Sequence, residues 1–464
     1  MFSCEEIVRA TSGELKGGFY GRISGVSTDS RSVAAGQLFV PLKGERFDGH
    51  AFLAAVAANG VTAALAATSE RQNPTLRDLQ GMTLIFVEDT LRALGDLAAA
   101  WRSRFDIPLI GVTGSNGKTT TKEMLAAILS LTGPGLKTAG NLNNLIGLPQ
   151  MLFRLSGDHQ WAVLEMGMSE PGEIDRLAEI AAPQTGVVLN AFPAHLESMG
   201  SVEGVARAKG ELLLRLPSSG CAIVNADDPL VSRLPATPGI RRLSYGLGQA
   251  DVTALQMENL GIEGQRFQLA ISGTTMPVHL SAFGRHNVYN ALAAAAAAFA
   301  AGIDNETIRR GLEAFRPYDR RFSLERAGQL ILIDDSYNAN PASMSAALET
   351  LRAIKGRQRA FVALGDMLEL GGDEIELHRA LGREAAGVAD RLYLCGPLMQ
   401  HAAEAACQAG LLPDNVICSG QHDEILVDIL AHAAAGDFVL VKGSRGMKMD
   451  VIADGVREAA ATEA

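Results

Sequence analysis

The sequence has few cysteines and no pattern among them. Cys4, Cys221, Cys395, Cys407 and Cys418 are scattered, odd in number and include no CxxC pair. That argues against a disulfide framework and points to a reducing compartment. Runs of basic residues are also missing and the net charge is −11, so no nucleic-acid surface is expected. An acidic chain can still bind anionic nucleotides, because the local site decides. The opening residues Met1 to Glu6 lack the basic and apolar stretches of a secretory signal. The most apolar run, Ala291 to Ala301, is too short and too alanine-rich to span a bilayer. Repeats of about 20–50 residues and low-complexity linkers are absent. These absences leave a soluble, cytoplasmic chain.

Its 464 residues suggest about three domains at roughly 150 residues each. A hydrophobic fraction of 47 % is ample for packed cores. Residues 1–83 read as a small α/β unit with short strands near Gly25–Thr28 and Leu38–Leu42 and a helix from His50 to Asn59. Residues 84–317 begin with a helix over Leu91–Arg104 and then alternate. Leu109–Thr113, Trp161–Glu165, Gly186–Asn190 and Cys221–Asn225 are continuous apolar strands, which indicates a mostly parallel sheet covered on both faces. A β-rich stretch over 240–282 and a helix over His286–Ala301 complete this unit. Residues 318–464 restart the alternation with four buried strands, Leu330–Asp334, Ala360–Leu364, Arg391–Cys395 and Asp437–Val441, as in a second doubly wound, Rossmann-like domain. The expected fold class is therefore α/β in three domains.

The strand Leu109–Thr113 runs into Gly114-Ser115-Asn116-Gly117-Lys118-Thr119-Thr120 and then a helix. Such a loop turns successive N–H groups toward a phosphate, and the helix N-terminus adds its positive end. Lys118 would reach the β- and γ-phosphates, and the Thr119 hydroxyl would sit on Mg²⁺. The strict Walker spacing asks for glycine at 112, where this chain has Val112. Taken alone, the loop fits kinases, switches and ligases alike.

Glu165 ends a buried strand, where ligands sit in open α/β sheets, so it is placed to hold Mg²⁺ or to be a satisfied strand-end glutamate. His195, just past another strand, and Lys209 are each ambiguous between structural and functional roles. Asn141, Asn143 and Asn144 form an amide-rich turn that could donate to phosphate or carboxylate, or cap the next helix.

Taken in order, these pieces resemble the Mur ligase family. The markers are Thr113–Thr120, Gly140–Gly147, Glu165-Met166-Gly167, Pro193–Glu197, Ala208–Glu211, Gly284–Ala291, Asp334–Pro341, Leu364–Gly371 and Lys442–Met447. Ser336–Pro341 and Gly365–Leu370 look like the member that adds D-alanyl-D-alanine. Folylpolyglutamate synthetases share the core but lack an N-terminal block like Asp29–Arg31, Leu38–Gly44 and Phe47–His50. The resemblance implies an ADP-forming amide ligase working as a monomer, with UDP-N-acetylmuramoyl-tripeptide, D-alanyl-D-alanine, ATP and Mg²⁺. It also implies that Lys209 is carbamoylated and joins His195 and Glu165 on a metal, with Lys118, Lys209 and His195 as catalytic groups. Ser30, Arg31, Asp48 and His50 are the implied uridine-side residues, and Asn287 and Asn290 the adenine-side ones. Arg320 or Arg321, Asp335, Tyr337, Asn338, Lys442 and Arg445 would come from the C-terminal domain to nucleotide and dipeptide. A site shared between domains needs closure, with a hinge near Arg316–Asp319.

Overall fold

A computed structural model describes residues 1–17, 21–44, 47–77, 79, 81–193, 196–318 and 320–462, with backbone alone at 77, 196 and 197. Three sheets follow one another along the chain. The first runs in the order Glu14–Lys16, Thr83–Val87, Ala63–Ala67, Gln37–Phe39, Gly25–Ser27, with only Glu14–Lys16 antiparallel. Thr83–Val87 pairs with Ala63–Ala67 along its whole length. A boundary after residue 83 would cut this strand off, so the first unit extends at least to Val87. Helix Thr90–Arg102 starts where the Asp89 carboxylate accepts from the N–H groups of Leu91 and Arg92, and it packs Leu94 and Leu97 back onto this sheet.

The second sheet has nine strands. Within it Leu109–Thr113 lies between Trp161–Glu165 and Thr185–Val188, all parallel. Because the three run the same way, their carboxyl ends share one rim, and the loops that leave them meet there. Beyond Cys221–Asn225 and Arg241–Gly246 the sheet turns antiparallel through Val252–Asn259, Gln265–Ile271 and Thr274–Leu280. The alanine-rich run lies inside helix Arg285–Ala300, where residues 291–298 are all buried. Alanine lets this helix lie close to helix Lys118–Leu129 and to the sheet beneath both. Among the described residues no helix is long and apolar enough to cross a membrane.

The third sheet has six strands, in the order Ser323–Ala327, Leu330–Asp335, Phe438–Lys442, Ala360–Gly365, Arg391–Cys395, Val416–Cys418. The four buried strands expected from sequence are all present. The two edge strands were not expected, because they read as polar and short: Glu325 and Arg326 are exposed, and Val416–Cys418 has three residues. Helices Pro341–Ile354, Glu374–Ala386 and Met399–Gln408 cover one face, and His422–His432 and Asp450–Thr462 the other.

Candidate active site

A cleft of about 650 Å³ lies between the second and third sheets. Ser115 to Thr120 form one wall, with Gly117 in the left-handed conformation (φ +85) where helix Lys118–Leu129 begins. A Cβ at Gly117 would stand 2.3 Å from Asn290 Oδ1. Gly117→Ala is therefore expected to lower the melting temperature and weaken binding of a non-hydrolysable ATP analogue about fivefold or more, read by calorimetric titration. Strain and clash together should cost about 1–3 kcal/mol, and unchanged affinity would contradict this account of the turn.

Lys118 Nζ donates to the carbonyls of Gly114 (2.7 Å) and Ser115 (3.5 Å). Burial pulls its pKa down to about 8, and Arg321 adds to that pull, while Glu165 opposes it. Its ammonium is thus held at the cleft with no carboxylate among the described residues in ion-pair contact, ready for an anion. Beside it the Thr119 hydroxyl donates to Glu165 Oε2 at 3.2 Å. Glu165 Oε1 is buried; Lys122 Nζ stands 3.3 Å away, within ion-pair distance but without hydrogen-bond alignment. Lys122, which the sequence did not single out, is 1 % exposed and also donates to the Thr138 carbonyl.

A hydroxyl beside a buried carboxylate, one oxygen of which accepts no hydrogen bond among the described residues, is a hard-oxygen donor set that fits Mg²⁺. Among the described residues no group of three or more His, Cys, Asp or Glu gathers. His195 lies outside the described residues. Lys209 is 3 % exposed on helix Val202–Leu214, with no carboxylate among the described residues in ion-pair reach. Burial drives its pKa well down, and the charge of Lys118 pushes the same way.

Asn287 and Asn290 line the cleft but spend part of their amides inside the fold. Asn287 donates to the Phe283 carbonyl and accepts from Asn290, whose Oδ1 accepts from Thr121. On this side the sequence reading missed Asn190, Asp227, His286 and Tyr289. Tyr289 donates to Asp227 at 2.8 Å, and burial together with that bond pushes its phenol up to about 12. Burial and the charge of Lys442 pull His286 down to about 4, so it faces the cleft as a neutral imidazole. Asn190 and Asp227 each follow a buried strand closely, the one signal that could have flagged them.

From the third sheet come Arg321, Asp335, Tyr337, Asn338 and Lys442. Asp335 pairs with Lys442 at 2.7 Å, and Lys442 also donates to the Asn338 carbonyl. Burial raises the Asp335 pKa, with Lys442 and then Arg321 working against it. Arg321 forms no ion pair with Asp335. Its guanidinium instead stacks 4.1 Å above the Tyr337 ring, and its Nε makes no hydrogen bond among the described residues. Its neighbours Arg320 (φ +60) and Phe322 (φ +52) both adopt left-handed backbone, a strain of about 1–2 kcal/mol each. Such strain persists where the surroundings over-determine it, as at a functional clamp. Arg320 itself turns away and pairs with Asp450 and Asp454 of helix Asp450–Thr462. Arg445 shares Asp450 with it at 3.2 Å and is not on the cleft wall.

The amide turn divides. Asn143 lines the cleft, whereas Asn144 Oδ1 accepts from the N–H groups of Ile146 and Gly147 and so caps the following helix; Asn141 is exposed beside them. The four N-terminal candidates stand apart from the cleft. His50 is committed to the fold: Nε2 accepts from the Ala67 N–H at 2.9 Å, which leaves Nδ1 to donate to Asp48 at 2.6 Å. Arg31 grips Asp29 with two hydrogen bonds and holds that carboxyl near pH 2, with Ser30 between them. Arg31 and Asp48 keep an exposed face toward solvent.

Known proteins resemble this chain in sequence and fold. Residues 22–102 match the Mur ligase family catalytic domain, 112–298 the Mur ligase middle domain, and 320–445 the Mur ligase glutamate ligase domain. A UDP-N-acetylmuramoyl-tripeptide–D-alanyl-D-alanine ligase from Bacillus subtilis is 38 % identical, over 93 % of this chain and 92 % of its own length. Crystal structure I of MurF from Acinetobacter baumannii superposes with a TM-score of 0.88 at 35 % identity, covering 98 % of this chain and 99 % of that one. MurF ligase from Thermotoga maritima in complex with ADP gives 0.83 at 28 % identity, covering 96 % and 99 %.

Proposed function

The chain belongs to the Mur ligase family, and from that premise we propose that it uses ATP to join D-alanyl-D-alanine to a UDP-N-acetylmuramoyl-tripeptide. The product is the pentapeptide precursor of peptidoglycan, and ADP and phosphate are released. The observation that carries this reading is that Lys118 and the Asp335–Lys442 pair, from different sheets, face one cleft. Such a cleft can hold a triphosphate and two further reactants together.

The chemistry follows in two transfers. The tripeptide's terminal carboxylate attacks the γ-phosphorus, the bond to the β-phosphate oxygen breaks, and ADP leaves. Backbone N–H groups of Gly117 to Thr119 and the Lys118 ammonium stabilise the charge that spreads over the transferring phosphoryl oxygens. Thr119 and Glu165, with Lys209 as a carbamate and His195, would hold Mg²⁺. Bound there, Mg²⁺ supplies Lewis-acid neutralisation of phosphate charge. The dipeptide's amine then attacks the acyl carbon of the acyl phosphate, loses a proton, and expels phosphate. Arg321, propped on Tyr337, and the Lys442–Asp335 pair orient nucleotide and dipeptide charge from the C-terminal side. Asn143 faces the tripeptide end. The exposed faces of Ser30, Arg31 and Asp48 would meet the uridine end, with His50 shaping their turn. Holding three reactants in line supplies much of the rate. We place the enzyme in the cytoplasm, where ATP is plentiful.

The test is phosphate release with each substrate left out in turn, run with lysine- and diaminopimelate-containing tripeptides. Release should need ATP, one UDP-tripeptide and D-alanyl-D-alanine together. Release at the full rate from ATP alone would rule out a ligase and favour a nucleotide switch.

A further inference from the structure

Asn116 is held from two sides. From its own domain, Asn190 Oδ1 accepts from the Asn116 backbone N–H at 2.9 Å, and Asn190 Nδ2 donates to the Asn116 carbonyl at 3.1 Å. From the C-terminal domain, Asn340 meets the Asn116 side chain in a reciprocal amide pair. Asn116 Nδ2 donates to Asn340 Oδ1 at 3.1 Å, and Asn340 Nδ2 donates to Asn116 Oδ1 at 2.7 Å. These residues are 224 positions apart in the chain.

Asn340 has a second duty. It caps helix Pro341–Ile354: its Oδ1 accepts from the Ser343 N–H at 2.9 Å, and its own N–H donates to Ser343 Oγ at 3.0 Å. The cap requires Oδ1 to face the helix, so Nδ2 must face outward, toward Asn116. The cap therefore sets the amide's orientation independently of the contact with Asn116. At its other end the same helix offers the Ala353 carbonyl to Asn259 Nδ2 at 3.3 Å. The helix is thus tied to the central domain at both ends, and the tie at its start is made to the phosphate loop itself.

We propose that Asn340 is a positioning residue for phosphoryl transfer: its amide pair with Asn116 latches the C-terminal domain onto the phosphate loop and fixes the loop's shape in the closed enzyme. This inference rests on the ligase reading for its kinetic consequence, though not for its structural one. The amide pair couples closure to the loop that holds the γ-phosphate, so domain angle and phosphate geometry change together.

Serine at 340 keeps a good helix cap but is too short to reach Asn116. Asn340→Ser and Asn116→Ser should each lower kcat about tenfold, the worth of two neutral hydrogen bonds, with KM for the UDP-tripeptide and the melting temperature little changed. The double variant should be no worse than either single one, because each substitution already breaks the whole pair. Small-angle scattering with a non-hydrolysable ATP analogue should give Asn340→Ser a larger radius than the unsubstituted protein. Wild-type kcat in the single variants, a double loss equal to the product of the singles, or equal radii overturns the proposal. Failure of the unsubstituted protein to need both co-substrates for phosphate release would instead overturn the ligase reading, and the scattering comparison would still judge the latch.

Discussion

Replacing Lys118 with methionine is expected to lower kcat about a thousandfold, with the fold intact and the unliganded protein somewhat more stable. The ammonium sits at the cleft in hydrogen-bond contact with loop carbonyls and, among the described residues, without a carboxylate partner. It is placed to neutralise charge that grows on the phosphoryl oxygens, an interaction stronger in the transition state than in the ground state. Methionine keeps the apolar stem and removes the charge. The stability sign follows from the lowered pKa. In the folded protein Lys118 binds its proton less tightly, with a pKa near 8 against 10.5 when unfolded. Below pH 8 the ammonium is carried into the fold at a cost, and that cost fades as pH rises from 8 toward 10.5. Lys118→Met should remove this slope, so thermal melts against pH without nucleotide should show the variant ahead at pH 7 and level with wild type near pH 10. Activity within a few-fold of wild type would remove Lys118 from the mechanism.

The second large effect is expected at Lys209. Replacing it with alanine should lower kcat about a hundredfold or more, because the metal would lose a ligand held in place by the fold. Burial explains how a lysine could serve there. Burial lowers the pKa of the Lys209 amine and so favours its neutral form, and a neutral amine can add carbon dioxide to form a carbamate. The side chain then changes from a cation to an anionic oxygen donor. Wild-type activity should fall in carbon-dioxide-free buffer and return with bicarbonate, most sharply at low enzyme concentration. Lys209→Arg should be inactive and indifferent to bicarbonate. Full activity of Lys209→Ala would make the residue structural.

The sequence made the strands legible because they are buried on both faces: Leu109–Thr113, Trp161–Glu165, Cys221–Asn225 and Arg391–Cys395 begin and end where their apolar runs do. The phosphate loop was legible for the same reason, since loop and supporting strand are contiguous. Residues whose roles arise from distant chain were not. Asn340 acts through Asn116, Tyr289 through Asp227, and Lys122 through Glu165, and no local pattern marks such partners. Two candidates make local contacts that their sequence does not announce: Asn144 Oδ1 caps a helix, and His50 ties Asp48 to Ala67. Arg321 is the converse. Its neighbours' left-handed backbone and its place over Tyr337 depend on packing that sequence periodicity does not report.

The most direct measurement follows oxygen. The tripeptide's terminal carboxylate would be labelled with heavy oxygen, and the products of one turnover with ATP and D-alanyl-D-alanine separated by mass. Transfer through an acyl phosphate at the Lys118 cleft predicts one labelled oxygen in each released phosphate and one retained in the new amide. Unlabelled phosphate, or labelled phosphate without pentapeptide, would contradict it.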